Sequence, residues 1–229
     1  MKIKKIAMQL CLSSAVLAAI PTVFSAEVVP TTQHYMVKNL NIGDLPVKTI
    51  VPITAKTAEQ AIAQAQVIAS NPNADVAEFR IDLLEFSADT QKVIALGQQL
   101  NQILKEKPLI ATIRTHNEGG KMTVSDQDYE KIYSDYLKKP FMQLLDIEMF
   151  RDVGSITKLI KLAHNKNVLV IMSNHDFAKT PEQQDIENRV LKQDQMGADI
   201  LKIAVMPKSK QDVFTLMNAT LAVSKKKKK

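Results

Sequence analysis

Cysteine is almost missing from this chain: the single copy, Cys11, stands in an apolar amino-terminal stretch, and residues 27–229 have none. Beyond that stretch the chain can use neither thiol catalysis nor a disulfide scaffold, and it suits export without needing one. Glycine is scarce, six in 229 residues, and no Gly-rich phosphate loop can be built from them. A true excess of positive charge is lacking too. The formal net charge is +6, yet eight of the 30 basic residues lie in residues 1–26 and 225–229, where no acid occurs. The remainder carries 22 basic against 24 acidic residues, a balance of −2. No nucleic-acid partner is indicated, because the basic end has no interleaved aromatics and the body is slightly acidic.

What is present begins with Lys2, Lys4 and Lys5, followed by an apolar stretch over residues 6–24 and then Ser25-Ala26. This is the layout of a cleavable secretory signal over residues 1–26. A retained membrane anchor is the competing reading, disfavoured by Pro21 and the small-residue end. The expected location is periplasmic or secreted, with membrane contact confined to passage of the signal.

Short β-branched runs then alternate with longer amphipathic stretches. The runs cover residues 48–53, 75–82, 108–115, 141–148, 168–174 and 199–205; the stretches cover 57–70, 89–106, 125–139, 153–165, 181–196 and 208–223. Run starts recur at about 30 residues, the size of a βα unit. Such a repeat predicts a parallel sheet flanked by helices, as an open doubly wound sheet or a (β/α)8 barrel. The placement of charge separates the two. Glu78, Arg80 and Asp82 occupy alternate positions of the second run and so share one face. An open sheet would bury them against apolar helices, whereas in a barrel they point inward and toward the mouth. Arg114, Asp146, Glu148, His175 and Lys202 also fall at or just after run ends, where barrel active sites collect. The expectation is an α/β (β/α)8 TIM barrel over residues 48–223 with about six units present. Before it, residues 27–47 predict a short hairpin (34–40, a turn at Asn41-Ile42-Gly43-Asp44, then 45–47) that covers the barrel's amino-terminal end. After it, residues 224–229 read as a Ser/poly-Lys tail.

Lys202 sits in the middle of Ile200-Leu201-Lys202-Ile203-Ala204-Val205. An ammonium in an apolar site finds a partner or gives up its proton, and the neutral amine is a carbonyl nucleophile able to form a Schiff base. The plainer reading is a lysine that packs its stem and pairs its head with a carboxylate or water. His175, in Ser173-Asn174-His175-Asp176-Phe177, can exchange protons with a bound substrate or simply cap the next helix. The loop Arg114-Thr115-His116-Asn117-Glu118-Gly119-Gly120 offers a cation, an acid and two glycines that could merely make the turn. A metal site of His116, Glu118 and His175 is conceivable from residue types alone.

Together these segments, with Glu78-Phe79-Arg80-Ile81-Asp82, Leu145-Asp146-Ile147-Glu148 and Gly197-Ala198-Asp199-Ile200-Leu201-Lys202-Ile203-Ala204-Val205-Met206-Pro207, resemble type I 3-dehydroquinate dehydratase, in family order over roughly residues 36–223. The resemblance implies a barrel enzyme that dehydrates 3-dehydroquinate to 3-dehydroshikimate with no metal or organic cofactor, and a homodimer. It implies that Lys202 forms an imine with the C3 ketone, that His175 serves as general acid and base, and that Glu118 orients His175. Glu78, Arg80 and Arg114 match residues that bind the substrate's hydroxyl groups, while Asp146 and Glu148 look supporting. With an export signal, catabolism of external quinate-type compounds is the expected role.

The chain also departs from that pattern. The family continues with two more strands, which carry an arginine for the substrate carboxylate, where this sequence runs into lysines; a truncated barrel is therefore expected. Pro52 falls near a family serine that contacts substrate, and Thr54 could replace it only in another register. Two alternatives follow: an inactive exported barrel fragment or basic-tailed binding protein, and another Schiff-base lyase or aldolase on the same barrel.

Overall fold

The strand order never reverses. The computed structural model describes residues 34–226, and its six parallel strands stand in the order β3-β4-β5-β6-β7-β8, each hydrogen-bonded to its sequence neighbours. The strands are β3 (Ile50–Ile53), β4 (Val76–Arg80), β5 (Leu109–Thr112), β6 (Leu144–Glu148), β7 (Leu169–Asp176) and β8 (Ile200–Val205). Helices α1 (Ala58–Ser70), α2 (Thr90–Leu104), α3 (Asp126–Lys138), α4 (Val153–His164) and α5 (Gln183–Gln195) return the chain between them, and α6 (Lys210–Lys226) follows β8. A doubly wound sheet reverses direction at a switch point. The sequential parallel order is that of a (β/α)8 barrel, with six strands among the described residues. The expected signal over residues 1–26 and the end of the lysine tail lie outside the described residues.

Helix starts follow short polar side chains. Thr57, Asp89, Ser125 and Asp152 each accept a hydrogen bond from the backbone N–H three residues on, so these residues are caps rather than first helical turns. Ser209 and Asp212 form a reciprocal cap on α6, with Asp212 N donating to Ser209 Oγ at 3.2 Å and Ser209 Oγ to Asp212 Oδ1 at 2.9 Å. At its far end α6 continues through Ser224 and Lys225 to Lys226, past the expected start of the tail. Lys226 Nζ lies 2.6 Å from Glu187 Oε2 on α5, and a cation suits the carboxyl end of a helix.

The apolar residues divide into two layers. The larger fills the space between the sheet and its helices, from Ile53 and Ala77 through Phe79, Leu145 and Met172. The smaller lies at the amino-terminal ends of the strands, where Val76, Ile110, Leu144 and Ile171 meet Val37, with Tyr35, Leu40 and Ile42 alongside. The last four belong to an antiparallel hairpin of β1 (Tyr35–Val37) and β2 (Leu40–Ile42), which covers that end as expected. Its turn, however, is at Lys38-Asn39 and not at residues 41–44. Lys38 adopts φ 51°, and its Nζ ties the turn to Asn101 Oδ1 at 2.8 Å and to the Lys105 carbonyl at 2.6 Å. A polar lysine with long-range anchors thus outcompetes the local turn signal of Gly43.

Two strand ends differ from their sequence-predicted limits in a way that shapes the site. β4 stops at Arg80, and Asp82 lies in a 3-10 turn (Ile81–Leu83) instead of on the strand face. The β5–β6 ladder stops at Thr112 paired with Asp146. Beyond it the hydroxyl of Tyr133, fully buried on α3, accepts from Ile113 N at 2.8 Å and donates to the Asp146 carbonyl at 2.7 Å. The neighbouring Tyr129 hydroxyl accepts from Glu148 N at 3.2 Å. Side-chain hydroxyls therefore replace direct strand pairing where β5 turns away, and the buried backbone groups stay satisfied. Tyr133→Phe leaves the Ile113 N–H and the Asp146 carbonyl without that partner. The expected cost is about 1–3 kcal/mol, read as a lower urea midpoint at unchanged m-value; an unchanged midpoint would show that the ladder closes without the hydroxyl.

Candidate active site

The carboxyl ends of the strands bring the charged residues into one network. Arg114, just past β5, is 4% exposed, and its guanidinium faces four acceptors. Nη2 lies 2.7 Å from Asp146 Oδ1, while Nη1 lies 3.0 Å from Glu148 Oε1, 2.9 Å from Ser173 Oγ and 3.5 Å from Glu118 Oε2. Glu148 in turn accepts from Thr115 N at 2.8 Å and Thr115 Oγ1 at 2.6 Å. Arg114 thus organises the charge at this end of the sheet, a role its place on the same loop as Glu118 also suggests. The donors turned toward these carboxylates are engaged inside the protein.

Lys202 meets the same network from β8. Its Nζ lies 3.2 Å from Asp146 Oδ2 and 3.5 Å from Glu78 Oε1, with the side chain 31% exposed. The lysine is thus paired with carboxylates and remains partly exposed. Asp146 is the link between Lys202 and Arg114, and Ser173 Oγ donates to it at 2.6 Å. Burial pushes the Asp146 carboxyl up, but the charges of Arg114 and Lys202 and the Ser173 hydroxyl outweigh it and hold its pKa below the usual range. Glu148 goes the other way, because burial exceeds the pull of Thr115 and Arg114 and leaves its pKa raised. For Arg114, burial opposes the charge, yet Asp146 and Glu148 raise its pKa further.

His175, near the end of β7, places Nδ1 2.9 Å from Glu118 Oε2 and stacks on Phe177, ring centroids 6.2 Å apart. Glu118 reaches it because the loop after Arg114 folds back, with Gly120 N donating to the Thr115 carbonyl at 2.8 Å. No side chain fits at Gly120, where a Cβ would stand 1.8 Å from the Arg114 carbonyl oxygen. Gly119 adopts φ 81°, a left-handed conformation natural to glycine. The pair is therefore demanded by geometry, beyond making a turn.

Arg80 grips Asp82 with both arms, Nε to Oδ1 at 2.8 Å and Nη2 to Oδ2 at 2.9 Å. Glu78 Oε1 accepts from Thr112 Oγ1 at 2.9 Å and so stands beside Lys202. All six expected site residues, Lys202, His175, Glu118, Glu78, Arg80 and Arg114, thus lie at one end of the sheet. Sequence reasoning missed Ser173, Thr112 and Thr115 as partners; the available signal was that Thr112 and Ser173 stand two residues before Arg114 and His175, with Thr115 directly after Arg114. His116 is exposed, and among the described residues no cluster of three or more His, Cys, Asp or Glu is placed to hold a metal ion. Pro52 pairs with Glu78 on β3, which is an edge strand among the described residues and tolerates the missing N–H.

Sheet order and site position define an α/β enzyme of the (β/α) barrel type, with its working face at the carboxyl ends of the strands. The comparisons narrow this class. Residues 49–229 match the model of the family described as Type I 3-dehydroquinase. A catabolic 3-dehydroquinate dehydratase of Acinetobacter baylyi is 74% identical over 215 residues, covering 93% of this chain and 79% of the relative. A 3-dehydroquinate dehydratase of Listeria monocytogenes is 39% identical over 191 residues, covering 83% of this chain and 75% of the relative. The solved 3-dehydroquinate dehydratase of Enterococcus faecalis superposes with a TM-score of 0.80 at 40% identity, over 82% of this chain and 78% of that one. The chain belongs to the type I 3-dehydroquinase family.

Arg114→Met removes the cation from carboxylates that stay buried, and about 3–5 kcal/mol of stability is expected to go with it at neutral pH. The sign with pH follows from the shifts. The stability that Asp146 contributes is present above its unfolded pKa of about 4 and lost as pH falls through its lower folded value. Acid has the opposite effect at Glu148, where it relieves the cost of ionisation. Without Arg114 both carboxyls bind protons more readily, so the stability gap between wild type and variant is expected to narrow from about pH 7 to about pH 4. Urea unfolding at the two values checks this; a gap independent of pH would contradict the charge account.

Proposed function

We propose that this chain is a hydro-lyase that converts 3-dehydroquinate to 3-dehydroshikimate through an imine on Lys202. The observation that carries the reading is the environment of Lys202 Nζ: open to the mouth, yet 3.2 Å from the fully buried Asp146. After losing a proton, the amine adds to the C3 ketone, and loss of water gives an iminium. Ammonium and iminium carry the same single positive charge, so the negative field of Asp146 and Glu78 serves both and favours the protonated imine. That cation withdraws electrons from C2 and acidifies its hydrogen. His175, held at Nδ1 by Glu118, takes the C2 proton and returns it to the departing hydroxyl, which leaves as water. Hydrolysis of the imine then restores the lysine. Glu78 and Arg80 are the proposed partners of the substrate hydroxyls, while Arg114 acts through the carboxylates it holds. No metal or organic cofactor enters these steps.

Borohydride reduction in the presence of 3-dehydroquinate, read by peptide mass spectrometry, tests the scheme. One adduct on the Lys202 peptide is expected, with none in Lys202→Met. In His175→Ala turnover should fall by about 10²–10⁴-fold while the adduct still forms. Turnover without any adduct, or an adduct on another lysine, would overturn the reading.

The chain is further proposed to act as a homodimer outside the cytoplasm, in the breakdown of quinate-type compounds. The signal-like residues 1–26 support this, as does the word "catabolic" in the name of the Acinetobacter baylyi relative. Fractionation of an expressing Gram-negative cell should place a shortened protein in the periplasm, and full precursor mass in the cytosol would reject export.

A further inference from the structure

Behind His175 lies a polar chain that the reaction scheme leaves without a purpose. Along β7, Ser173 and His175 share one face, and Asn174 and Asp176 share the other. Arg189 on α5 reaches both residues of this second face. Its Nη1 lies 2.9 Å from Asn174 Oδ1 and 3.7 Å from Asp176 Oδ2, and its guanidinium sits 5.8 Å from the centre of the Phe150 ring. Asn174 is 3% exposed, and its Nδ2 donates to Glu118 Oε1 at 3.2 Å. The other oxygen of Glu118 is the one at 2.9 Å from His175 Nδ1. A cavity of about 240 Å³ borders this chain and reaches Asn174, Arg189, Glu118 and His175.

The chemistry of each group fixes the direction of the chain. A guanidinium has donors only, so it draws the oxygen of the Asn174 amide and leaves the NH2 for Glu118. Without Arg189 the buried amide oxygen of Asn174 loses its charged donor, and only the carboxylate of Glu118 is left to hold the amide. Glu118 would then depend more on Arg114, 3.5 Å away, and on His175. We infer that Arg189 and Asn174 are positioning residues for His175: Arg189 sets the amide of Asn174, Asn174 anchors one oxygen of Glu118, and the other oxygen keeps the proton on Nδ1 of His175, leaving Nε2 for the substrate. This rests on the proposed role of His175 and extends it to a helix residue outside the mouth. A catalytic imidazole must present one tautomer, and the group opposite its working nitrogen selects it.

The test combines nitrogen NMR of histidine-labelled protein at alkaline pH, without substrate, with steady-state kinetics. Wild type should show the nitrogen shifts of a single His175 tautomer protonated at Nδ1. In Arg189→Met and in Asn174→Leu, which keeps the volume, the shifts should move toward a mixture of tautomers. For both, kcat should fall about 10–100-fold, the range for groups that orient a functional ligand, with KM little changed. Arg189→Lys keeps a donor for Asn174 and should recover most of both signals. Urea midpoints measured on the same samples separate loss of fold from loss of orientation. Wild-type nitrogen shifts and wild-type kcat in Arg189→Met would overturn the inference, as would a loss of kcat that merely follows stability with unchanged shifts. Absence of turnover and of a Lys202 adduct in wild type would instead sink the lyase reading, and the nitrogen shifts alone would then decide the role of Arg189.

Discussion

One buried guanidinium holds the reactive end of the sheet together. Arg114 leaves β5 and touches Asp146 and Glu148 of β6, Ser173 of β7 and Glu118 of its own loop, while its backbone N–H donates to Asp82 beyond β4 at 3.3 Å. Carboxylates taken out of water cost several kcal/mol each unless paired, at about the scale of a domain's whole stability. Arg114 makes their burial tolerable, and a fixed array of acceptors results against which Lys202 and His175 are placed. The tyrosines of α3 prepare its position: where Tyr133 interrupts the β5–β6 ladder, the chain can leave the sheet and aim Arg114 across the mouth.

Much of this was legible in the sequence because the fold repeats. The strands read as short apolar runs, and the helices between them as longer amphipathic stretches. Lys202 and His175 stood out as polar residues where apolar ones were due. The parts that were hidden depend on distant partners. Tyr129 and Tyr133 fall within the amphipathic stretch 125–139, where nothing local shows that their hydroxyls finish a strand ladder. Arg189 falls within the stretch 181–196, and only the fold brings it to Asn174. The hairpin turn went to Lys38 because its anchors, Asn101 and the Lys105 carbonyl, are more than sixty residues away. The extent of Arg114's charge-holding has the same origin: only the folded chain shows that three carboxylates converge on it.

The division of labour within β7 shows how a strand can serve two purposes. Its inner positions carry Ser173 and His175 to the network, and its outer positions give α5 a hold on the same segment. Glu118 joins the two sides, since one of its oxygens meets Asn174 and the other meets His175. Rigidity at the mouth therefore comes from side chains that bridge elements, beyond the hydrogen bonds of the sheet itself.

β8 is bound to β7 on one side and, among the described residues, to no strand on the other. Each of its residues is partly exposed, and Gln193 Nε2 helps to hold it by donating to the Lys202 carbonyl at 2.9 Å. A segment with few buried contacts opens before the rest of a domain does. The amides of β4 to β7 should exchange with solvent only when the whole domain unfolds, and those of β8 sooner. Lys202, the proposed nucleophile, thus rides on a strand that, like β3 at the opposite edge, is held from one side only among the described residues.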